Sequence, residues 1–427
     1  MAMPVRSLPV VQNWDCGSCS ACCRTYHVPV SVDERKRIES QGWEQDENLK
    51  ETAYFVQEGS WFSGRSFRLN HRPDGACVFL GADNRCRIHA KFGSAAKPLA
   101  CRIYPFLLVP AGDHWRLGLR FACPSSVASQ GQPLSGHLAE VREYSAALES
   151  DSPGTVNAPP TPLRKGQLVP WSDLLRIAGT VSKLLENVEE PLERRWRNVL
   201  GFVAMCRDLK LDGGGNAKKM ITGARLSEML GVLAEAVEEE TPENSEVPPP
   251  GWVGRMVFRQ ISAVYCRKDY GAEKGTAQRG PLGRVLAAMS FARGAGRIPK
   301  VNALIPEARF SDAEQPVGPL SATSESLLTR YYQMKVESLQ FCGPTNFALP
   351  FWEGLESLAI TFPAILWLSR VFAIGGMNRE VAIERALRLV DDNFGFNKLL
   401  GLGRQKFALK LMAGRGELSR LIAWSAR

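Results

Sequence analysis

The stretch Cys16-Gly-Ser-Cys19-Ser-Ala-Cys22-Cys23 places four thiols within eight residues, close to the start of the 427-residue chain. Gaps of two residues are typical of metal-binding thiols, because the intervening turn directs both sulfurs to one side. Four more cysteines follow in the same third of the chain: Cys77, Cys86, Cys101 and Cys123. Eight of the eleven cysteines therefore lie between Cys16 and Cys123, a density that indicates a metal site rather than packing.

The cellular compartment decides how these thiols are interpreted. The first residues contain no apolar run long enough for a signal peptide. The longest uncharged apolar stretch, 357–369, has 13 residues and contains Pro363, whereas a membrane span needs roughly 18. These features predict a cytoplasmic protein without a membrane segment. In a reducing compartment, clustered thiols are more often metal ligands or redox groups than disulfides.

Every clustered cysteine is a candidate metal ligand. The set is Cys16, Cys19, Cys22, Cys23, Cys77, Cys86, Cys101 and Cys123. Zinc and iron–sulfur clusters both take thiolates, about four for each site. Eight thiols therefore allow two sites, or one site with spare reactive sulfurs. Because successive side chains of an extended segment point in opposite directions, Cys22 and Cys23 serve different partners or only one of them binds metal.

The identity of the metal stays open between zinc and a 4Fe-4S cluster. The thiol surplus and the Cys123-Pro124 pair, which also occurs in some ferredoxin loops, favour iron–sulfur. Basic neighbours such as Arg24, Arg85, Arg87 and Arg102 would offset the negative charge of the thiolates.

All five histidines of the chain also lie in the first third. His89 follows Cys86 by three residues and is a further candidate ligand. The other four are predicted to be surface or core residues: His27, His71, His114 and His137.

The pattern of elements predicts a mainly α protein with a small, irregular α+β domain at its start. A helix is expected after Ser31, with acidic residues in its first turn. Short strands are expected at 77–80, 85–88 and 115–121, separated by glycine-containing turns. Such a domain has a small core and needs a stabilising cross-link, which a bound metal supplies.

Two stretches rich in proline and small polar residues divide the chain. The predicted units are a cysteine-cluster domain (1–150), a linker (151–170), a helical segment (171–237), an acidic, proline-rich loop (238–254) and a helical C-terminal domain (255–427). The helical parts carry apolar residues at helical spacing, which we interpret as packing faces. These stripes are Leu174 to Leu185 after an N-cap at Ser172, Leu226 to Val237, Leu328 to Leu339, and Ile383 to Val390. Three isolated cysteines, Cys206, Cys266 and Cys342, are expected in the core, where free cysteine is common.

The net charge of +9 is concentrated near the end of the chain. From Arg370 to Arg427 there are eleven basic and five acidic residues, giving +6 for this segment. No aromatic residues alternate with them in a nucleic-acid-reading motif. We therefore favour a solvated helical face over a surface for nucleic acid.

The first third carries four ordered elements that are far more specific than a single CxxC. They are Cys16-x-x-Cys19-x-x-Cys22-Cys23, Cys77-Val-Phe-Leu80, Arg85-Cys86-Arg-Ile88 and Lys97-Pro98-x-x-Cys101-Arg102-x-Tyr104-Pro105. Together they resemble the CxxCxxCC (YkgJ-type) cysteine-cluster family, whose members are regarded as zinc- or iron-chelating. One departure is His89, where the family pattern leads us to expect tyrosine.

The layout of a cluster domain followed by a long helical region is similar to that of flagellin lysine N-methylases. This resemblance implies a protein-lysine N-methyltransferase that uses S-adenosylmethionine and acts on a lysine-bearing, flagellin-like protein. No catalytic or cofactor-binding residue is assigned by a motif. Aromatic and acidic side chains that would suit such a site are Tyr331, Tyr332, Trp352, Glu353 and Glu356, although each also fits a core or surface position.

The alternative is a non-enzymatic or redox metal-cluster protein whose helical part docks a protein partner. The glycine-rich segments 212–216 and 293–297 are interpreted as turns, because neither follows a strand as a dinucleotide-binding loop would. The CxxxCxxC spacing of radical enzymes is also absent. Arg267-Lys268-Asp269 and the pair Arg293 and Arg297 would suit an anionic partner, although we favour a solvated loop for them.

Overall fold

The computed structural model describes the chain apart from residues 1, 2, 7, 9, 11, 48, 60–65, 152, 153, 155, 156, 210, 212–219, 270–272 and 277–279. The predicted turn at 212–216 therefore lies outside the described residues.

Two small sheets lie in the first third of the chain. In order along the described chain, the strands are β1 (Val5–Arg6), β2 (Pro29–Val30), β3 (Phe55–Glu58), β4 (Ser66–Leu69), β5 (Phe106–Pro110) and β6 (Trp115–Leu119). One sheet has the order β2-β4-β3 and is antiparallel throughout. The other has the order β1-β6-β5, with β1 parallel and β5 antiparallel to β6.

Helices make up most of the remaining chain, which confirms the predicted fold class. In the first third, the described helices are α1 (Ala21–Thr25), α2 (Val32–Glu39), α3 (Arg87–Phe92), α4 (Leu99–Ile103), α5 (Pro124–Ala128) and α6 (Leu138–Asp151). The middle of the chain contains α7 (Trp171–Glu186), α8 (Leu192–Asp208), α9 (Gly223–Glu240), α10 (Trp252–Cys266), α11 (Gly280–Arg293) and α12 (Phe310–Ala313). The last part contains α13 (Ala322–Glu337), α14 (Phe351–Ala359), α15 (Thr361–Ile374), α16 (Arg379–Asn393), α17 (Gly403–Gly414) and α18 (Glu417–Ser425).

Two hydrophobic cores organise these elements. The small core lies beneath the β2-β4-β3 sheet and includes Trp43, Phe79 and Ile88. The main core joins the helices to the β1-β6-β5 sheet, so that Phe106 and Leu119 pack in the same cluster as Trp367. The second sheet therefore belongs, by its packing, to the helical body.

The close approach of β6 to the helical body requires glycine at one position. A Cβ added to Gly118 would lie 2.0 Å from Nε2 of Gln340 and 2.7 Å from Oγ of Ser338. Gln340 Nε2 in turn donates a hydrogen bond to the carbonyl of Leu119 at 3.5 Å. Arg116 of the same strand forms an ion pair with Glu337 at 3.1 Å.

The predictions for the first third were partly correct. The helix after Ser31 is confirmed as α2, and its N-cap is a complete capping box with Glu34. The strand expected at 115–121 is confirmed as β6. The strands expected at 77–80 and 85–88 are wrong: 77–80 is a turn flanked by isolated bridges, and residues from Arg87 onward form α3.

The four apolar stripes are confirmed as helical, with most of their residues buried, except that Leu339 lies in the turn after α13. The N-cap of α7 is Pro170 rather than Ser172, because the fixed φ of proline already positions the chain for the first turn. Cys206, Cys266 and Cys342 are all buried, as expected. The glycines at 294 and 296 adopt positive φ after α11, which confirms the second predicted turn. The proposed domain boundaries stay predictions.

One described helical stretch, Phe351–Ile374, is long and apolar enough to cross a membrane by length and composition alone. However, 83% of its apolar window is buried inside the protein. This burial is typical of the core helix of a globular fold.

Candidate metal centre

The opening cysteine run has irregular backbone before α1 begins at Ala21. Ser18 and Ser20 have φ of 50° and 57°, in the left-handed region that few non-glycine residues adopt. The second of these residues is the N-cap of α1, the short helix that carries Cys22 and Cys23. The amide of Gly17 donates to Oγ of Ser125 at 3.2 Å, which fixes the run to the first turn of α5.

Four thiols surround the small core: Cys23, Cys77, Cys86 and Cys101. We call these four the inner thiols. The amide of Cys77 donates to the carbonyl of Cys23 at 2.8 Å, and Cys86 forms an isolated bridge with Leu80 before it caps α3. Cys101 lies in the middle of α4.

Burial dominates the electrostatics of the inner thiols. It raises the pKa of Cys77 to about 12, and the neighbouring Cys86 and Cys22 act in the same direction. Burial also raises the pKa of Cys101, which is further raised by Cys77, Cys86 and Cys22. Cys77, Cys86 and Cys101 therefore lie close to one another and to Cys22, and the main-chain hydrogen bond from Cys77 places Cys23 beside them.

The other four clustered cysteines, Cys16, Cys19, Cys22 and Cys123, lie toward the helical body. We call these the outer thiols. Burial raises the pKa of Cys16, and the nearby Cys22 and Cys123 raise it further. Cys123 is the N-cap of α5 with Pro124 at the first helical position, so the Cys-Pro pair serves as a helix start. Cys19 is exposed.

Cys22 connects the two groups. Its Sγ lies 4.0 Å from Sγ of Cys23. The hydrogen bond to Cys23 raises the pKa of Cys22, and burial adds to this effect. Cys22 also acts on Cys16 on one side and on Cys101 on the other.

The eight clustered thiols match a thiolate-bound metal in ligand type and number, although their side chains do not converge on one point. In the described part of the chain, no group of three or more Cys, His, Asp or Glu side chains is arranged to hold a metal ion. All eleven cysteines are free thiols. Metal binding therefore requires the inner or outer thiols to turn toward a common centre.

Lys97 is a functional candidate that the sequence analysis missed. Its ammonium group lowers the pKa of Cys16, Cys22 and Cys101, so it faces members of both thiol groups. The arginines expected in this role are engaged elsewhere in three cases: Arg24 with Asp74, Arg87 with Asp46 and Arg102 with Glu143. The Lys-Pro element before Cys101 was the only sequence signal for Lys97.

The histidines occupy varied positions. His89 is exposed on α3. His27 and His71 lie against each other with ring centroids 5.0 Å apart, and burial lowers the pKa of both. His114 contacts Asp113 at 2.7 Å, and His137 contacts the carbonyl of Trp14 at 2.7 Å.

A cleft of about 280 Å³ lies between the cysteine region and the helical body, with Cys22 in its wall. On the cysteine side it is bounded by Tyr26 and Tyr104, whose rings are 5.0 Å apart. On the helical side it is lined mainly by α16 and neighbouring loops. The charged lining residues are Lys268, Glu273, Glu384, Arg385, Arg388 and Asp392.

Ion pairs lie in the wall of this cleft and in the protein next to it. Asp392 pairs with Arg120 at 3.2 Å and with Lys268. Asp391 pairs with the buried Lys335 at 2.5 Å, and its other oxygen accepts a hydrogen bond from the amide of Ala122 at 2.8 Å. Burial lowers the pKa of Lys335, and Asp391 opposes that shift. The residue before Cys123 is thus fixed to α16 by a buried carboxylate.

The residues considered for a sulfonium site are dispersed in the helical body. Tyr331, Tyr332 and Trp352 are fully buried in the main core. Glu356 pairs with Arg207 at 2.5 Å, and Glu353 pairs with Lys410 at 3.3 Å. Within the predicted docking loop, Arg267 pairs with Asp269 and Lys268 with Asp392. Arg297 lies 3.9 Å from Glu307.

Comparison with known families supports the metal-binding interpretation of this region. Residues 15–123, about a quarter of the chain, match the family model CxxCxxCC, described as "Putative zinc- or iron-chelating domain". No curated protein gives a significant match to the chain, and neither does any solved structure. The family resemblance of the first third is therefore confirmed, while the similarity to flagellin lysine N-methylases stays a prediction.

Proposed function

We propose that this chain is an iron–sulfur protein in which the inner thiols hold a 4Fe-4S cluster and the outer thiols form a second metal-binding group. The observation that carries the proposal is the partition of eight free thiols into two groups of four. Four thiols pack in or against the small core. Of the other four, Cys22 lines the cleft and Cys123 packs in the main core. Four thiolates per site is the ligand number of a 4Fe-4S cluster or a structural zinc.

The partition gives the adjacent cysteines separate roles. Cys23 packs with the small core, while Cys22 lines the cleft. The four inner thiols match the ligand number of a 4Fe-4S cluster and of a zinc ion equally, so metal analysis decides between the two. When bound, a cluster would supply one-electron redox chemistry. The protein's own contribution would be Lys97, whose positive charge offsets the negative charge of the thiolates.

Elemental analysis and an absorption spectrum of anaerobically purified protein test this proposal. We expect iron and sulfide with absorption near ~400 nm, as thiolate-bound iron–sulfur clusters show. Cys77→Ser should remove the inner metal, and Cys19→Ser should remove only metal bound by the outer group. Cys206→Ser is the matched control, because Cys206 is a buried thiol outside both groups. Zinc without iron would reject the cluster, and full metal content in Cys77→Ser would reject the inner site.

A second candidate function is N-methylation of a protein lysine with S-adenosylmethionine. The observation that favours it is the cleft beside Cys22, which combines the rings of Tyr26 and Tyr104 with the exposed carboxylate of Glu384. Aromatic faces and carboxylates both attract a cationic side chain. A free lysine has a pKa of about 10.4 and must lose its proton before it can be methylated. A group that lines the cleft would have to accept that proton.

Incubation with labelled S-adenosylmethionine and a panel of lysine-rich proteins, flagellins among them, tests this second function. Transfer of label that falls in Glu384→Gln and is retained in Glu380→Gln would support it. Glu380 is a suitable control because it is exposed on the same helix but does not line the cleft. No transfer to any protein of the panel would count against methylation, while leaving the metal result unaffected.

A further inference from the structure

A pocket far along the chain from the cysteine cluster contains two arginines and mainly apolar walls. It has a volume of about 330 Å³ and lies where the last turn of α15 meets the start of α16 and the end of α18. Its apolar walls include Leu320, Leu366 and Ile383. We call it the arginine pocket. Its volume is at the lower end of the range for small-molecule sites.

Both arginines of the pocket bind main-chain carbonyls rather than carboxylates. Arg370, only 6% exposed, donates from Nη2 to the carbonyl of Ser425 at 2.5 Å. Arg379 donates from Nη2 to the carbonyl of Gly318 at 2.6 Å. Among the residues that the structure describes, neither guanidinium makes an ion pair with an acidic side chain. The Nε atom of Arg370 is buried and has no hydrogen-bond partner within the described protein.

Arg370 and Arg379 are the charged side chains among the described residues that line the pocket. None of the described residues that line it is acidic. Glu314, the nearest acidic influence on Arg370, is already engaged by Arg259 through two hydrogen bonds of 2.5 and 2.8 Å. Burial, followed by the like charge of Arg379, lowers the pKa of Arg370 to about 10. A buried charge without a counter-ion is costly, so an anion entering this pocket would be stabilised.

The walls restrict which anion fits. Two apolar side chains remain exposed at the mouth, Val317 at 46% and Ile374 at 41%. A small, fully hydrated anion would leave this apolar surface in water, whereas an aliphatic chain would cover it. We propose that the arginine pocket binds a medium-chain aliphatic carboxylate, with its carboxylate between Arg370 and Arg379 and its chain against the apolar walls.

Isothermal titration of the full-length, metal-loaded protein with octanoate tests this proposal. Octanamide has the same chain without the charge, and acetate has the charge without the chain. We expect saturable octanoate binding. Each analogue should bind at least roughly tenfold more weakly than octanoate, because both the charged hydrogen bonds and the chain contribute. Equal binding of octanoate and octanamide, or no detectable octanoate binding, would overturn the proposal.

Substitutions place the binding at this pocket. Arg379→Gln should weaken octanoate binding by roughly tenfold to a hundredfold, the expected loss for a charged hydrogen bond. Arg385→Gln is the matched control, because Arg385 is a half-buried arginine on the same helix that lines the cleft beside Cys22 instead. Arg379 is half-buried, so its variant is expected to fold, which circular dichroism verifies. Unchanged octanoate binding in a folded Arg379→Gln variant would contradict the proposed site.

Discussion

The small core and the main core solve the problem of stability in different ways. Among the residues that the structure describes, the small core has nine buried members, one of them Cys77, and four thiols pack in or against it. The main core runs from Met3 to Ile422 and buries Cys206, Cys266 and Cys342, together with Cys123 of the outer group. A core as small as the first rarely stabilises a domain without a staple. We therefore expect cysteine to bind metal around the small core and to act as a packing residue at Cys206, Cys266 and Cys342 in the main core.

Metal removal is the largest test of this difference. Binding of a structural metal contributes about 10–16 kcal/mol in small metal-dependent domains, so removing it should unfold the region around the small core. We expect limited proteolysis of metal-stripped protein to cut between residues 15 and 105. The β1-β6-β5 sheet and the helices from α5 onward should resist, because they share the main core. Mass spectrometry of the fragments locates the cuts.

Reloading with metal is the control, and it should restore resistance in the same segment. Equal resistance of stripped and loaded protein would show that the small core stabilises itself. Cuts spread through the helical body would show that the two cores unfold together.

Exchanging single thiols for hydroxyls sharpens the comparison. Cys101→Ser should lose the metal of the inner site, because serine is a poor ligand for soft metals. Cys266→Ser should keep its metal and lose only about 1–3 kcal/mol of stability, since it buries a hydroxyl in an apolar site. Metal analysis separates the two results, and denaturant unfolding measures the second. Full metal content in Cys101→Ser would exclude this thiol as a ligand.

Features of short sequence range were predicted well in both regions. The helix start after Ser31 and the stripe through Leu328 and Tyr332 follow from local spacing, and the structure bears them out. The run 77–80 was predicted as a strand because a short apolar segment has no period that distinguishes a strand from a buried turn. The eight thiols were identified as a cluster, although their division into inner and outer groups depends on which core each thiol contacts.

Long-range polar contacts were the least predictable part. The basic segment from Arg370 onward was interpreted as a solvated face, yet Arg370 is buried and lines a pocket. Asp391 and Lys335 are separated by more than fifty residues and pair only because α13 and α16 pack together. Nothing in the local sequence of either helix distinguishes such a buried charge from a surface one.

Breaking the buried Asp391–Lys335 ion pair, which joins α16 to α13, should have the next largest effect. Asp391→Ala leaves Lys335 buried without its partner and the amide of Ala122 without its acceptor. We expect a loss of about 3–5 kcal/mol of unfolding free energy, as for other buried pairs that lose one member. Chemical denaturation followed by circular dichroism measures it.

The exposed Glu384 on the same helix provides the matched control, and Glu384→Ala should change stability by no more than about 0.5 kcal/mol. A similarly small effect of Asp391→Ala would mean that the pair contributes little to joining the cysteine region to the helical body.

The smallest effect compares matching N-caps in the two regions. Ser31 Oγ accepts from the amide of Glu34 at 3.2 Å at the start of α2, and Ser321 Oγ accepts from the amide of Ser324 at 3.3 Å at the start of α13. Each Ser→Ala change should cost about 1 kcal/mol. The Ser31 change should act on the small core alone, because Glu34 also accepts a hydrogen bond from the amide of Leu99, the first residue of α4.

Hydrogen exchange of metal-loaded protein distinguishes these two responses. Ser31→Ala should speed exchange in α2 and α4, and Ser321→Ala should speed it in α13, each without change in the other region. This outcome is expected if the two cores open independently. Faster exchange in both regions from either change would instead show that the two N-caps belong to one cooperative unit. The metal would then stabilise the whole chain rather than the small core.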